Sequence, residues 1–131
     1  MADRSKITSW LTDMDGVLVH EGVAIPGAAN LIAKWVADET PFLVLTNNSI
    51  YTPRDLSARL VATGLNIPED RIWTSALATA AFLHSQKPGG SAFVIGEAGM
   101  TQALYDVGYV MTDQNPDYVV LGETRNLSFE N

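Results

Sequence analysis

Hydrophobic and polar positions form alternating blocks along the chain, and the short apolar blocks predict strands. The strand-like runs are Ile7–Thr12, Phe42–Leu45, Arg71–Trp73, Ala92–Ile95 and Tyr118–Leu121. The run that begins at Phe42 is wholly apolar, which is typical of a strand buried on both faces of a parallel sheet.

Between these strands, apolar residues recur at helical spacing. The predicted helices are Gly27–Glu39, a helix from Pro53 to Gly64 with Thr52 as its cap, a helix from Ser75 to about His84 with Ser75 as its cap, and Ala98–Val107. Because strands and helices alternate, we expect right-handed crossovers and a parallel sheet, which is the pattern of an α/β fold. Functional sites in such folds form at the carboxyl ends of the strands.

Composition narrows the class of protein. With 131 residues, of which 47% are hydrophobic, the chain can form one compact domain but not comfortably two. Its net charge of −7 argues against a nucleic-acid partner and against an anionic membrane surface. No cysteine is present, so thiolate metal sites are excluded. The N-terminal residues lack the apolar core of a signal peptide, and we therefore expect a cytoplasmic protein without a membrane span.

Polar side chains follow two of the predicted strands. Asp13 and Asp15 end the first strand, and Thr46-Asn47-Asn48-Ser49 follows the second. The 33 residues from Asp13 to Thr46 suit one strand-helix-strand unit. If the two strands are neighbours, both polar clusters lie at the same edge of the sheet.

The two acids and the Thr-Asn cluster together suit phosphoryl chemistry. Gly16 lets the backbone curl after the strand, so that Asp13 and Asp15 can reach one site. Paired carboxylates repel each other unless a cation or a shared proton relieves them, and Mg²⁺ is a hard cation that accepts such ligands. One acid can attack phosphorus while the other protonates the leaving oxygen. The Thr46 hydroxyl and nearby amides would then hold the phosphoryl group.

Simpler interpretations exist for each motif. Asp-x-Asp-Gly is common in turns, and Thr-Asn-Asn-Ser can be a turn or a helix cap. A calcium loop of the EF-hand type is excluded, because Val17, Leu18 and Ala24 stand where its later ligands and its glycine belong. His20 and Glu21 fit a solvated loop, and Trp35 and Trp73 fit a core.

The order of these motifs resembles the haloacid-dehalogenase superfamily of phosphohydrolases, subfamily IIA, and within it the NagD-like branch of nucleotide and sugar phosphatases. The stretches that carry the resemblance are 13-DMDGVLVHEGVAIPGA-28, 43-LVLTNN-48, 73-WTSALATAAFL-83, 94-VIGEAGM-100 and 115-NPDYVVLGETR-125.

The resemblance implies a role for each matching residue. It implies that Asp13 is the nucleophile, which forms an aspartyl-phosphate, and that Asp15 is the general acid and then the general base. Asp13 and Asp15 would also bind Mg²⁺, the latter through its backbone carbonyl. The residues that would bind phosphate are Thr46, Asn47, Asn48 and Gly16. The loop 18–22 would be a flap beside the site.

The resemblance also implies a division of the chain. Residues 1–87 would form the N-terminal half of a Rossmann-like, three-layer α/β/α core, and residues 88–131 would begin an inserted α/β cap domain. Family members are considerably longer, and their catalytic lysine and later acidic Gly-Asp motif have no match here. We therefore expect a truncated form, whose partial sheet leaves an open strand edge that favours association between copies of the chain.

The expected function is that of a Mg²⁺-dependent phosphomonoester hydrolase acting on small phosphorylated metabolites, either nucleoside monophosphates or sugar phosphates. One alternative is a catalytically inactive fragment that serves as a binding or interaction module. Another is a signalling domain of receiver type. The receiver interpretation is disfavoured, because its phosphoacceptor would end a later strand, whereas here the acid pair ends the first.

Overall fold

A computed structural model describes residues 4–125, which form four α-helices and eight strands. Among these residues the chain divides into two compact units. The first runs to Thr46 and resumes over Pro53–Trp73, and the second comprises Asn47–Thr52 and the chain from Thr74 onward. The predicted α/β fold with parallel strand pairing is confirmed. Residues 126–131, which belong to the predicted cap segment, lie outside the described residues.

The sheet of the first unit has the strand order β1-β4-β5. Its strands are β1 (Trp10–Asp13), β4 (Phe42–Thr46) and β5 (Ile72–Thr74). The first two are parallel neighbours, and their register places Asp13 opposite Leu45. The prediction that both polar clusters follow neighbouring strands is therefore confirmed.

Two helices accompany this sheet, α1 (Ala28–Ala37) and α2 (Pro53–Ala62). Helix α1 follows Gly27, whose φ of 93° favours glycine. It buries Ala28, Ile32 and Trp35, which recur at helical spacing. The Trp35 ring lies 5.8 Å from that of Trp10 and 5.2 Å from that of Phe42, so an aromatic row supports the start of the two parallel strands.

Burial differs between the two parallel strands. In β4, alternate side chains are buried (Phe42, Val44 and Thr46), and those between them are half-buried. Strand β1 lies at the edge of the sheet formed by the described residues, and its Leu11 side chain is 70% exposed. The predicted open strand edge is thus present among these residues.

A short hairpin follows the acid pair, where the sequence predicts only a loop. Strands β2 (Val19–His20) and β3 (Val23–Ala24) pair antiparallel around Glu21 and Gly22. Both turn residues have positive φ, at 49° and 77°, as in the two-residue turns that match the twist of a hairpin. The His20 and Glu21 side chains are exposed.

The second unit contains a parallel sheet of strand order β7-β6-β8 and two helices. Its elements are α3 (Ser75–Gln86), β6 (Ser91–Ile95), α4 (Ala98–Asp106), β7 (Val110–Met111) and β8 (Tyr118–Leu121). The prediction that Ser75 caps α3 is wrong. Thr74 is the cap, and its hydroxyl accepts a hydrogen bond from the Leu77 amide at 3.1 Å.

A polar cluster joins α3 to the sheet of the second unit. The Lys87 ammonium group lies 2.6 Å from Asp117, whose other carboxylate oxygen accepts from the Ser91 amide at 2.9 Å. The hydrogen bond from Lys87 holds the pKa of Asp117 below its ordinary value, and the same contact raises the pKa of Lys87. The predicted boundary between core and cap at 87/88 falls beside this cluster and stays a prediction.

None of the helices in the described range has both the length and the apolar character that a membrane span requires.

Candidate active site

The acid pair lies at the carboxyl end of β1. Asp13 is the last residue of the strand, and Asp15 lies just beyond it; both side chains are exposed, whereas Met14 between them is buried. The Met14 amide donates to the Leu45 carbonyl at 3.0 Å and also to Asp13 Oδ1 at 2.9 Å. Two exposed acidic residues thus flank a buried residue at the bend where β1 ends.

Gly16 makes that bend. Its φ is 83°, and a Cβ atom added there would meet nothing within 4 Å, so the backbone conformation and not crowding favours glycine. Its amide donates to the Val19 carbonyl at 2.7 Å, which closes a tight turn behind Asp15. The structural role that the sequence analysis gave Gly16 is therefore present, and its role in phosphate binding stays a prediction.

Thr46 joins the acid pair from the neighbouring strand. It ends β4, it is 6% exposed, and its hydroxyl donates to Asp15 Oδ2 at 3.3 Å. A hydroxyl carries one proton, so Thr46 can donate either to Asp15 or to a phosphoryl oxygen at any moment. The first unit therefore brings together three of the predicted site residues, Asp13, Asp15 and Thr46.

Asn47 and Asn48 follow Thr46 directly and belong to the second unit. The Asn47 carbonyl accepts from the Ser75 hydroxyl at 2.7 Å. The Asn48 side-chain oxygen accepts from the amides of Ile50 and Tyr51, both at 3.0 Å, which is the turn that asparagine commonly makes. Asn48 thus organises the backbone that follows it, and phosphate binding by either asparagine stays a prediction.

Sequence reasoning gave Ser75 no part in the site beyond capping a helix. Its hydroxyl nevertheless fixes the backbone of a predicted phosphate-binding residue. The available signal was its position: Ser75 directly follows β5, at the same carboxyl end of a strand where the other polar residues were found.

The residues at this site fit a magnesium ion in part. The exposed Asp13 carboxylate and the backbone carbonyl of Asp15 would supply the hard oxygen donors that Mg²⁺ prefers, and this ion commonly binds through one or two carboxylates while keeping several waters. Over residues 4–125, no group of three or more His, Cys, Asp or Glu side chains is placed to hold a metal.

Comparison with known proteins places these features in a family. Residues 10–110 match the family model described as haloacid dehalogenase-like hydrolase. The chain is 60% identical over 122 residues to the dihydroxyacetone phosphatase of Corynebacterium glutamicum (strain R), covering 93% of this chain and 44% of that protein. It is 40% identical over 124 residues to the ribonucleotide monophosphatase NagD of Escherichia coli (strain K12), covering 95% of this chain and 49% of that protein.

Solved structures show the same relationship. The structure of NagD from Escherichia coli K-12 aligns with a TM-score of 0.88 over 95% of this chain and 49% of that chain, at 40% identity. The aligned residues therefore include helices and strands of both units. The chain spans about half the length of the curated relatives it matches.

Proposed function

Since the chain belongs to the haloacid dehalogenase-like hydrolases, we propose that it carries the nucleophile and the general acid of a Mg²⁺-dependent phosphomonoester hydrolase. The observation that supports this most directly is the arrangement at the end of β1. Two exposed carboxylates flank a buried Met14, and the hydroxyl of Thr46 on the neighbouring strand donates to one of them.

Asp13 is the nucleophile in this proposal. Its Oδ1 accepts the Met14 amide at 2.9 Å, which fixes the carboxylate, and we assign Oδ2 as the attacking oxygen. A bond forms between Oδ2 and phosphorus while the bond from phosphorus to the leaving oxygen breaks, so the phosphoryl group moves onto Asp13.

Asp15 serves as the acid and then as the base. In the first step it gives its proton to the leaving oxygen. In the second step, its carboxylate takes a proton from the water that attacks the aspartyl-phosphate, and this attack releases inorganic phosphate and restores Asp13. The hydrogen bond from Thr46 to Oδ2 orients the Asp15 carboxyl before substrate binds, while the Thr46 proton is not engaged by a phosphoryl oxygen.

The Asp13 carboxylate and the Asp15 backbone carbonyl would also hold the magnesium ion. When bound, Mg²⁺ would offset the repulsion between the carboxylates and the negatively charged phosphate. Thr46, Asn47, Asn48 and the backbone at Gly16 would hold the phosphoryl oxygens, because amide and hydroxyl donors stabilise the charge that develops there.

The substrates would be small phosphorylated metabolites. One relative is named a dihydroxyacetone phosphatase and another a ribonucleotide monophosphatase, so we propose sugar phosphates or nucleoside monophosphates as the class. Such charged metabolites do not cross membranes freely, and the proposal accordingly places the enzyme in the cytoplasm.

One observation favours a second candidate, a non-catalytic binding module. Among the described residues, no group of three or more His, Cys, Asp or Glu side chains is placed to hold a metal. A module of this kind would bind phosphate without turning over a phosphoester.

The test is hydrolysis of p-nitrophenyl phosphate with and without Mg²⁺, using the 131-residue chain and a form extended through any coding sequence that follows it. Asp13→Asn should abolish turnover, whereas Asp38→Asn, which changes an exposed aspartate beyond the end of α1, should leave it unchanged. Turnover that survives Asp13→Asn would rule out the proposed nucleophile. A folded protein that binds phosphate but shows no turnover in either form would support the binding module.

A further inference from the structure

The segment Asn47–Tyr51, which follows β4, is held at two of its residues by other parts of the second unit. The carbonyl of Asn47 accepts from the Ser75 hydroxyl at 2.7 Å, and the carbonyl of Ile50 accepts from the Gly99 amide at 2.8 Å. The segment begins immediately after Thr46, so its conformation determines how a phosphate-binding Asn47 is presented.

Ser49 supplies a further link in the middle of the segment. Its side chain is only 4% exposed, and its hydroxyl oxygen accepts from the Glu123 amide at 2.9 Å, just beyond the end of β8. Gly122, the preceding residue, lies so close that an added Cβ would stand 3.3 Å from Ser49 Oγ. The segment therefore lies against the carboxyl end of β8.

Gly99 makes the closest approach. A Cβ atom added there would lie 2.6 Å from the carbonyl oxygens of both Ser49 and Tyr51, a distance that real Cβ atoms essentially never show. Because both neighbours are backbone atoms, no side-chain rotation can relieve the clash. Gly96, which directly follows β6, differs: its added Cβ would have no neighbour closer than 3.5 Å, which is ordinary contact.

We propose that Gly99 is a positioning residue for phosphate binding. Having no side chain, it lets the start of α4 dock against the Asn47–Tyr51 segment and donate to the Ile50 carbonyl, and this contact holds Asn47 in the conformation that receives a phosphoryl group. The inference rests on the proposed function and extends it to a residue 52 positions from Asn47 in the sequence.

Gly99→Ala should therefore displace the segment without touching the reacting carboxylates. Displacements of about 1 Å at a binding group can cost about 10²-fold in rate, and we expect kcat/KM for p-nitrophenyl phosphate to fall about 10- to 100-fold. Asn47 would contact the phosphoryl group in substrate and product alike. The loss should consequently appear in KM and in the inhibition constant of inorganic phosphate more than in kcat.

Two glycine variants serve as controls. Gly96→Ala should behave as wild type in both kinetics and stability. In Gly90→Ala, the new Cβ would stand 3.0 Å from the Tyr109 hydroxyl and 3.1 Å from Asp117, so it should destabilise the second unit at a place remote in sequence from the segment. If the kinetic effect of Gly99→Ala merely reflects lost stability, Gly90→Ala should show the same kinetic effect when its unfolding midpoint falls by the same amount.

A milder pair of variants covers the case in which Gly99→Ala does not fold. Ser75→Ala removes the hydroxyl that holds Asn47, and Ser85→Ala removes a hydroxyl on the same helix that donates only to the local carbonyl of Phe82. Ser75→Ala should raise KM and the phosphate inhibition constant severalfold, and Ser85→Ala should change neither.

Amide hydrogen exchange provides a readout that does not depend on turnover. Ile50 and Tyr51 should lose protection in Gly99→Ala beyond the loss at other amides of the second unit, keep it in Gly96→Ala, and in Gly90→Ala lose no more than those other amides. Wild-type kinetics or wild-type protection in folded Gly99→Ala would overturn the inference. A different result is that the variants show this protection pattern while the wild-type protein shows no Asp13-dependent turnover. That result would refute the proposed function but would establish that Gly99 positions the segment.

Discussion

The Thr46 hydroxyl donates to Asp15 Oδ2 at 3.3 Å and so joins the carboxyl ends of two parallel strands. The contact links the residue proposed as general acid to a residue proposed to hold phosphate. Because one hydroxyl proton serves both partners, a substrate phosphoryl group would compete with Asp15 for it. Binding of substrate and orientation of the acid are thus coupled at a single side chain.

Replacing Thr46 tests that coupling. Thr46→Val keeps the buried volume but removes the donor, and we expect kcat/KM for p-nitrophenyl phosphate to fall about 10²-fold, as when a single donor to a developing charge is removed. Thr46→Ser retains the hydroxyl and should stay within a few-fold of wild type. Equal steady-state kinetics for Thr46→Val and wild type would show that the hydroxyl has no part in the reaction.

Replacing Asp15 separates the two proposed chemical steps. p-Nitrophenolate leaves without protonation, so Asp15→Asn should still allow Asp13 to take the phosphoryl group, while hydrolysis of the aspartyl-phosphate should slow by about 10²- to 10⁴-fold for want of a base. Rapid-mixing measurements should show one equivalent of nitrophenol released per active site, followed by a slow phase. The double variant with Asp13→Asn should lack this burst. A burst in the double variant would contradict the proposed order of events.

The Lys87–Asp117 pair predicts a pH dependence of stability. The hydrogen bond from Lys87 lowers the pKa of Asp117 from 3.8 in the folded state, so its contribution is present above pH 3.8 and is lost as the pH falls through the lowered pKa. Asp117→Asn should accordingly lower the urea midpoint slightly at pH 7, and the difference from wild type should close in acid. We expect the difference in urea midpoint to be small, because the Lys87–Asp117 pair is exposed.

The raised pKa of Lys87 predicts that the stabilising contribution of the pair is also lost at high pH. The pKa of Lys87 is raised from 10.5, so its contribution is complete below pH 10.5 and is lost as the pH rises through the raised value. Lys87→Met should differ from wild type at pH 7 and converge with it in strong alkali. Midpoints that differ by the same amount across the whole range would show that the two charges do not interact.

Much of the fold follows from local patterns. The apolar run Tyr118–Leu121 becomes β8 with the predicted bounds, because four apolar residues between polar neighbours offer little alternative to a strand. The hairpin of β2 and β3 was missed, since strands of two residues show no measurable alternation and Glu21 is an uncommon choice for positive φ. Trp73 was expected in the core but is 40% exposed, because it points away from its buried neighbours Ile72 and Thr74 on the same strand.

Some features of the candidate site could likewise be predicted from the sequence, and others could not. The proximity of Asp13, Asp15 and Thr46 could be predicted, because parallel strands that are neighbours bring their carboxyl ends together. The seating of Ser49 against Gly99 could not. It depends on a close approach of backbones that are 50 residues apart in the sequence, and a Gly-Glu-x-Gly stretch indicates a turn without indicating what lies opposite it.

The exposed edge strand β1 bears on how the chain behaves at different ionic strengths. Leu11 and the side of β1 that pairs with no other described strand offer a surface on which a second strand can add, whereas a net charge of −7 keeps copies of the chain apart. Salt screens that repulsion over about 8 Å at physiological ionic strength and leaves the apolar contact untouched. The chain should therefore remain dispersed in dilute buffer and scatter more light as salt is added.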